Sequence, residues 1–155
     1  MSKQLRSARA ITVDVELWSA LHDGEIVAAE GQVPGDVTLT VKIDYIRRLF
    51  SPDGDSIVVR LLGCSRCEFR PYSASDCLVA LDAIVAAQPW IVHAEKEERG
   101  LSIVCAQGTL CLAYEGRELS LDDGSAITLA DLTRKAKQYW DAWAAKHQSK
   151  RRKDG

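Results

Sequence analysis

At 155 residues, with 46% hydrophobic and 27% charged side chains, the chain has the size and mix of one globular domain rather than a disordered polymer. No apolar run reaches the roughly 20 residues that cross a bilayer as a helix. The net charge of −2 hides an uneven spread: Lys3, Arg6, Arg9, Lys146, Lys150, Arg151, Arg152 and Lys153 stand at the ends, while between Ala10 and Ala145 twelve cations face 21 acids. So acidic a body excludes broad adhesion to a polyanion and leaves that role to the ends.

Met1 to Ala10 is basic and leads into Ile11-Thr12-Val13-Asp14-Val15-Glu16-Leu17, which lacks the continuous apolar stretch of a secretory leader. The expected address is therefore the cytoplasm. Odd positions of Ile11 to Leu17 are apolar and even ones polar, which predicts a strand with one greasy and one wet face. Glu25 to Glu30 follows as a shorter strand, and Val37 to Tyr45 alternates over nine residues. Ser56 to Leu62 and Cys67 to Tyr72 come next. Turn chemistry separates them at His22-Asp23-Gly24, Pro34-Gly35-Asp36 and Pro52-Asp53-Gly54-Asp55. One-sided burial of this kind is typical of antiparallel sheets.

A helix is predicted over Ala74 to Ala87, capped by Ser73 with Asp76 three residues later and stopped by Pro89. Its inward face would carry Cys77, Leu78, Leu81, Ile84 and Val85. Strands resume at Trp90 to Glu95, Leu101 to Ala106, Thr109 to Glu115 and Glu118 to Leu121. Gln107-Gly108 makes a tight hairpin and Asp122-Asp123-Gly124 a turn.

The last element carries the strongest local signals. Thr128 caps a helix with Asp131 three residues on, and Ile127 and Leu132 form a hydrophobic staple. Leu129, Leu132, Ala136, Tyr139, Trp140 and Trp143 recur at helical spacing, opposite Arg134, Lys135, Lys137 and Gln138. The helix should end near His147, leaving 148–155 as a disordered basic tail on a single domain spanning 1–147.

Five cysteines, an odd number, read as free thiols of a reducing compartment. Cys64-Ser65-Arg66-Cys67 has the spacing of half a metal site or a dithiol pair, yet no second pair completes a zinc set and the flanks read as strands. Two ordinary cysteines beside a bend at Gly63 is the plain reading, with metal at Cys64 and Cys67 the weaker alternative. His22, His93 and His147 are scattered and fall in no catalytic motif. His93, in a strand, is placed to pair with a carboxylate across the sheet. Asp53/Asp55 and Asp122/Asp123 suit turn tips better than a calcium loop, since the distal glutamate is missing. No nucleophile elbow, zinc-helix motif, phosphate loop or dinucleotide fingerprint occurs, which leans against an enzyme and implies no cofactor.

Two surface candidates remain. Tyr139, Trp140 and Trp143 form an aromatic ridge, and because Tyr139 and Trp140 are adjacent they cannot both point straight inward. A ridge half covered is a partner surface. Lys150, Arg151, Arg152 and Lys153 form a block suited to sequence-blind polyanion contact or to solubility alone.

The fold class is therefore α+β, mainly β: an antiparallel meander of about seven to nine strands forming a barrel or sandwich, with one short internal helix and a C-terminal amphipathic helix. The expected function is non-catalytic binding through protein–protein contact, with another protein or a second copy of the chain as partner and no membrane. The alternatives are a small-ligand barrel or enzyme with an internal pocket, and an accessory nucleic-acid binder using the basic ends.

Overall fold

The computed structural model describes residues 14–153, with side chains from 14 to 148. In chain order its strands are β1 Glu25–Gly31, β2 Gly35–Lys42, β3 Ser56–Cys64, β4 Arg66–Pro71, β5 Ile91–Glu97, β6 Gly100–Cys105, β7 Gly108–Ala113, β8 Gly116–Leu121 and β9 Ala126–Ile127. The helices are α1 over 14–20, α2 Asp44–Arg47, α3 Leu81–Ala86 and α4 Leu129–Lys153. The fold is α+β, mainly antiparallel β, in two sheets ordered β1-β2-β3-β8-β9 and β4-β7-β6-β5. No helix among the described residues is long and apolar enough to cross a membrane.

Alternation in the sequence sets which face each strand buries. In the first sheet Val41 opposes Ile57, which opposes Leu121, and Leu39 opposes Val59, which opposes Leu119. All six join one buried cluster. The residues between them, such as Thr38, Arg60 and Glu118, line the wet face. In the second sheet Phe69 opposes Leu110, which opposes Ile103, and these too enter the shared core. Its outer face carries Ser102 and Cys111 under charged side chains. Arg66 reaches Glu68 at 2.6 Å and Glu97 at 3.8 Å, and Arg70 reaches Glu68 at 3.5 Å.

The two sheets are joined by a bent ribbon. β3 runs into β4 across Ser65 alone, and β7 into β8 across Tyr114 and Glu115. β3 pairs with β8 and β4 with β7, so one long two-stranded ribbon contributes half its length to each sheet. At the bend Ser65 N–H donates to the Ala113 carbonyl (2.8 Å) and Glu115 N–H to that of Leu62 (2.9 Å). Gly63 supplies the left-handed backbone there, φ 60°, which costs an L-residue with a side chain more than glycine. A second seam lies at the opposite edges. Glu25 bridges Trp90, Ile26 N–H donates to Pro89 (3.0 Å) and Ile91 N–H to Gly24 (2.8 Å).

Four expectations are corrected. The strand expected over Ile11 to Leu17 is helix α1 from 14 onward, and residues 11–13 lie outside those described. Asp14, Leu17, Trp18 and Leu21 are buried at helical spacing. Asp14 accepts from Tyr114 Oη and from Arg117 Nε (3.1 Å), and Trp18 Nε1 donates to Tyr114 Oη (3.1 Å). These distant partners override the local alternation. The strand expected to reach Tyr45 stops at Lys42, because Asp44 opens the single turn of α2, which aims Ile46 and Arg47 inward.

The helix expected over Ala74 to Ala87 shrinks to α3. Leu78 exchanges both backbone hydrogen bonds with Phe69 (2.8 and 2.9 Å), so the chain there is an added edge to β4 and the Ser73 cap is not used. β9, two residues long, was too short to register as alternation. Finally, α4 runs to Lys153, past the expected end at His147, while the side chains of 149–155 lie outside those described. The Thr128 cap is present, with Asp131 N–H donating to Thr128 Oγ1 at 3.0 Å.

Candidate functional site

Helix α4 begins as a core element and ends clear of the body. Leu132 and Ala136 are buried, Tyr139 and Trp140 half-buried, and every described residue from Asp141 to Gln148 is exposed. At 3.6 residues per turn Trp143 and His147 continue the stripe of Leu132 and Ala136, so the apolar stripe outlasts the surface it packs on. Trp143 is 46% exposed. Its indole stacks on the His147 ring at 3.9 Å between centroids, and His147 Nδ1 donates to the Trp143 carbonyl at 2.9 Å. A shallow hollow of about 230 Å³ is lined by Trp143, Ala144, His147 and Gln148.

The ridge is anchored by residues that sequence reasoning did not connect to it. Tyr45, in α2, stacks on Tyr139 at 4.4 Å and meets the edge of Trp140 at 6.1 Å. His22, in the turn after α1, lies 5.4 Å from Trp140. Tyr45 Oη donates to the His22 carbonyl (3.2 Å), and His22 Nδ1 donates to the Val92 carbonyl (2.7 Å). Burial, and then the negative charge of Asp23, push the Tyr45 hydroxyl well above its ordinary range. It is thus a fixed neutral donor. The alternation of Val37 to Tyr45 places Tyr45 at the end of a strand, which hides its role. The signal available was Asp44 ahead of the apolar pair Tyr45 and Ile46.

Tyr45 also forms one wall of an acidic cleft of about 280 Å³, lined by Asp23, Glu25, Lys42, Ile43, Asp44, Tyr45 and Trp90. The cleft sits at the second seam, where β1 meets Trp90 ahead of β5. Trp90 is 44% exposed, and its Nε1 donates to Asp23 Oδ1 at 3.1 Å. Asp23 itself adopts the left-handed region, φ 74°, uncommon outside glycine and most accessible to Asn and Asp. Among the described residues Glu25 and Lys42 are neighbours in register but form no ion pair within 4 Å.

Arg47, the last residue of α2, is fully buried and braces two turns. Its Nε donates to Asp122 Oδ1 (2.7 Å), Nη1 to the Ser51 carbonyl and Oγ (3.1 and 2.9 Å), and Nη2 to the Asp53 carbonyl (2.7 Å). Asp122 Oδ2 accepts from the amides of Asp55 (3.0 Å) and Ser56 (3.2 Å). Burial pushes Asp122 upward, but these amides and the guanidinium hold it below the usual carboxylate range. Arg47 thus pins two turns together: Asp122 and, at 3.8 Å, Asp123 bring carboxylates to it, while Asp53 offers its backbone carbonyl.

Cys64 closes β3, and its thiol donates to the Arg66 carbonyl at 3.2 Å. Burial pushes the Cys67 thiol up to about 12, with Cys64 adding to the shift, and raises Cys64 as well. A redox nucleophile or a thiolate ligand needs the opposite shift. No group of three or more metal-ligating side chains meets among the described residues. His93 pairs with Glu95 two residues along its own strand (3.1 Å), rather than across the sheet as expected. Lys150, Arg151, Arg152 and Lys153 belong to the backbone of α4, but their side chains lie outside those described.

Comparison with protein-family models, with curated proteins and with solved structures finds no match to this chain.

Proposed function

We propose that the protein is a non-catalytic binding module that engages a protein partner, foreign or a second copy of the chain, through the aromatic ridge of α4. The observation that carries this reading is the overhang: Trp143, a tryptophan on the stripe, is half exposed on a helix whose first turns are core. Tryptophan at a solvent-facing position favours removal from water, and it dominates the energetics of many interfaces. The ridge is held rigid from below by the Tyr45–Tyr139 stack, so docking orders few side chains. Two further features point away from catalysis. The buried thiols are pushed toward their protonated forms, and the most buried cation, Arg47, is consumed by turn carbonyls and Asp122.

A small ligand inside the fold is less favoured, because Trp18, Phe69, Leu17, Leu21, Leu39 and Ile57 fill the space between sheets. The test is a photo-crosslinking side chain introduced at Ala144, beside Trp143. Irradiation in lysate of the host should give discrete protein adducts, and Trp143→Ser should abolish most of them. Irradiation that yields no protein adduct, the chain's own dimer included, would overturn the reading.

A further inference from the structure

The ridge and the acidic cleft share a boundary. Tyr45 lines the cleft and also stacks under Tyr139 and Trp140, so the two surfaces meet edge to edge. They are also opposite in charge. The cleft holds Asp23, Glu25 and Asp44 against Lys42. The part of α4 from Asp141 to Lys153 holds five cations, Lys146 among them, against one acid.

We infer that the chain forms a two-fold dimer in which the overhanging half of α4 of each copy lies in the acidic cleft of the other. This rests on the protein-contact reading of the ridge and names its partner as a second copy. A two-fold axis near the Tyr45–Trp140 boundary brings each ridge against the other copy's cleft, the self-complementary arrangement that closed symmetry requires. The thirteen residues of the overhang span about 20 Å at 1.5 Å per residue, enough to cross a cleft of this size.

The chemistry matches group by group. Trp143 meets a wall made of the Trp90 and Tyr45 rings. The Lys146 ammonium comes among carboxylates and beside an exposed indole, where ion pairing and cation–π attraction reinforce one another. Two basic helices do not meet head on, because each lies on the partner's acidic body. An outside partner would need this same combination of carboxylates and aromatic walls, which the chain already carries.

The test is sedimentation of the full chain from about 1 to about 200 µM, the range in which modest interfaces assemble. A monomer–dimer equilibrium that weakens as salt rises is expected. Trp143→Ser should raise the dissociation constant at least about ten-fold. Lys146→Glu and Glu25→Lys should each weaken the dimer several-fold, and the double variant should recover much of the loss, since it restores opposite charges. Trp143 and Lys146 are exposed, so unchanged circular dichroism, and an unchanged melting temperature at a concentration where all are monomeric, will show that the variants fold.

A monomer across the whole range overturns the inference, and so does a dimer indifferent to Trp143→Ser and to the charge swap. Monomers that still form crosslinks to a foreign protein at Ala144 would sink this dimer while leaving the protein-contact reading intact.

Discussion

At the scale of single residues, Arg47 contributes more than its position beside an exposed Arg48 suggests. Its guanidinium is out of water, and its stability depends on four hydrogen bonds to Asp122, Ser51 and Asp53. Truncating Arg47 removes all four bonds and empties a buried site, but Asp122 and Asp53 are exposed and regain water, so the cost is about 2–4 kcal/mol. Arg47→Ala should therefore show a destabilisation of about that size in urea unfolding at neutral pH. The pH dependence follows from Asp122, whose carboxyl in the folded state is held below its ordinary 3.8. A depressed carboxylate contributes stability that is fully present above its unfolded pKa and is lost as pH falls through the folded one. The gap between wild type and Arg47→Ala should thus narrow as pH falls below about 3.8, because protonated Asp122 no longer needs the cation. A gap that stays constant from neutral pH down to the acid transition would show that Arg47 acts through the turn carbonyls alone. Gly54 belongs to the same brace. A β-carbon there would sit 2.5 Å from Asp122 Oδ1 and 2.6 Å from Arg47 Nη2, so the turn is built around the guanidinium.

At the scale of elements, α4 divides into a half that holds the fold and a half that does not. Leu132 is fully buried in the core, and Leu132→Ala should cost about 2–4 kcal/mol in urea unfolding. Deleting 144–155 removes described side chains that are all exposed, so at concentrations where the chain is monomeric it should change stability by less than about 0.5 kcal/mol. A loss as large as that of Leu132→Ala would mean that the overhang packs on the body. This division was half legible in the sequence. The stripe from Leu129 to Trp143 is visible because helical spacing is local, and the Thr128 cap is equally local. Where the body ends beneath the stripe is a tertiary fact, fixed by Tyr45 under Tyr139 and His22 beside Trp140, both far earlier in the chain. The strands were legible for the same reason as the stripe: each has one wet face. Helix α1 was not, since Ile11, Val13, Val15 and Leu17 alternate while Asp14, Leu17, Trp18 and Leu21 follow helical spacing. Tyr114 and Arg117 decide between the two patterns. The acidic cleft left no local trace, because it is assembled from a turn after α1, the end of β2 and Trp90 across a seam between sheets.

At the scale of the whole molecule, the bent ribbon of β3–β4 and β7–β8 makes the two sheets one unit. Ile57 opposes Leu121 in one sheet, and Phe69 opposes Leu110 in the other, on the same pair of chain segments. Neither sheet can lose its ribbon half without leaving the other half's backbone groups unpaired at the bend, where buried donors and acceptors are costly to orphan. The inner faces also share one core, which Trp18 enters from α1 while its Nε1 reaches Tyr114 between β7 and β8. Unfolding should therefore be a single transition. Tryptophan emission carries signals from Trp18 in the core and from Trp90 at the seam, while far-ultraviolet circular dichroism reports the strands of both sheets. The two probes should give the same urea midpoint and the same slope, as two-state behaviour requires. Phe69→Ala, a change in the second sheet alone, should shift both probes together by about 3–5 kcal/mol. Should that variant retain a first-sheet transition at the wild-type midpoint while the rest melts early, the ribbon would be a hinge between two independent sheets, and the Tyr45–Trp90 cleft at the far seam would open with it.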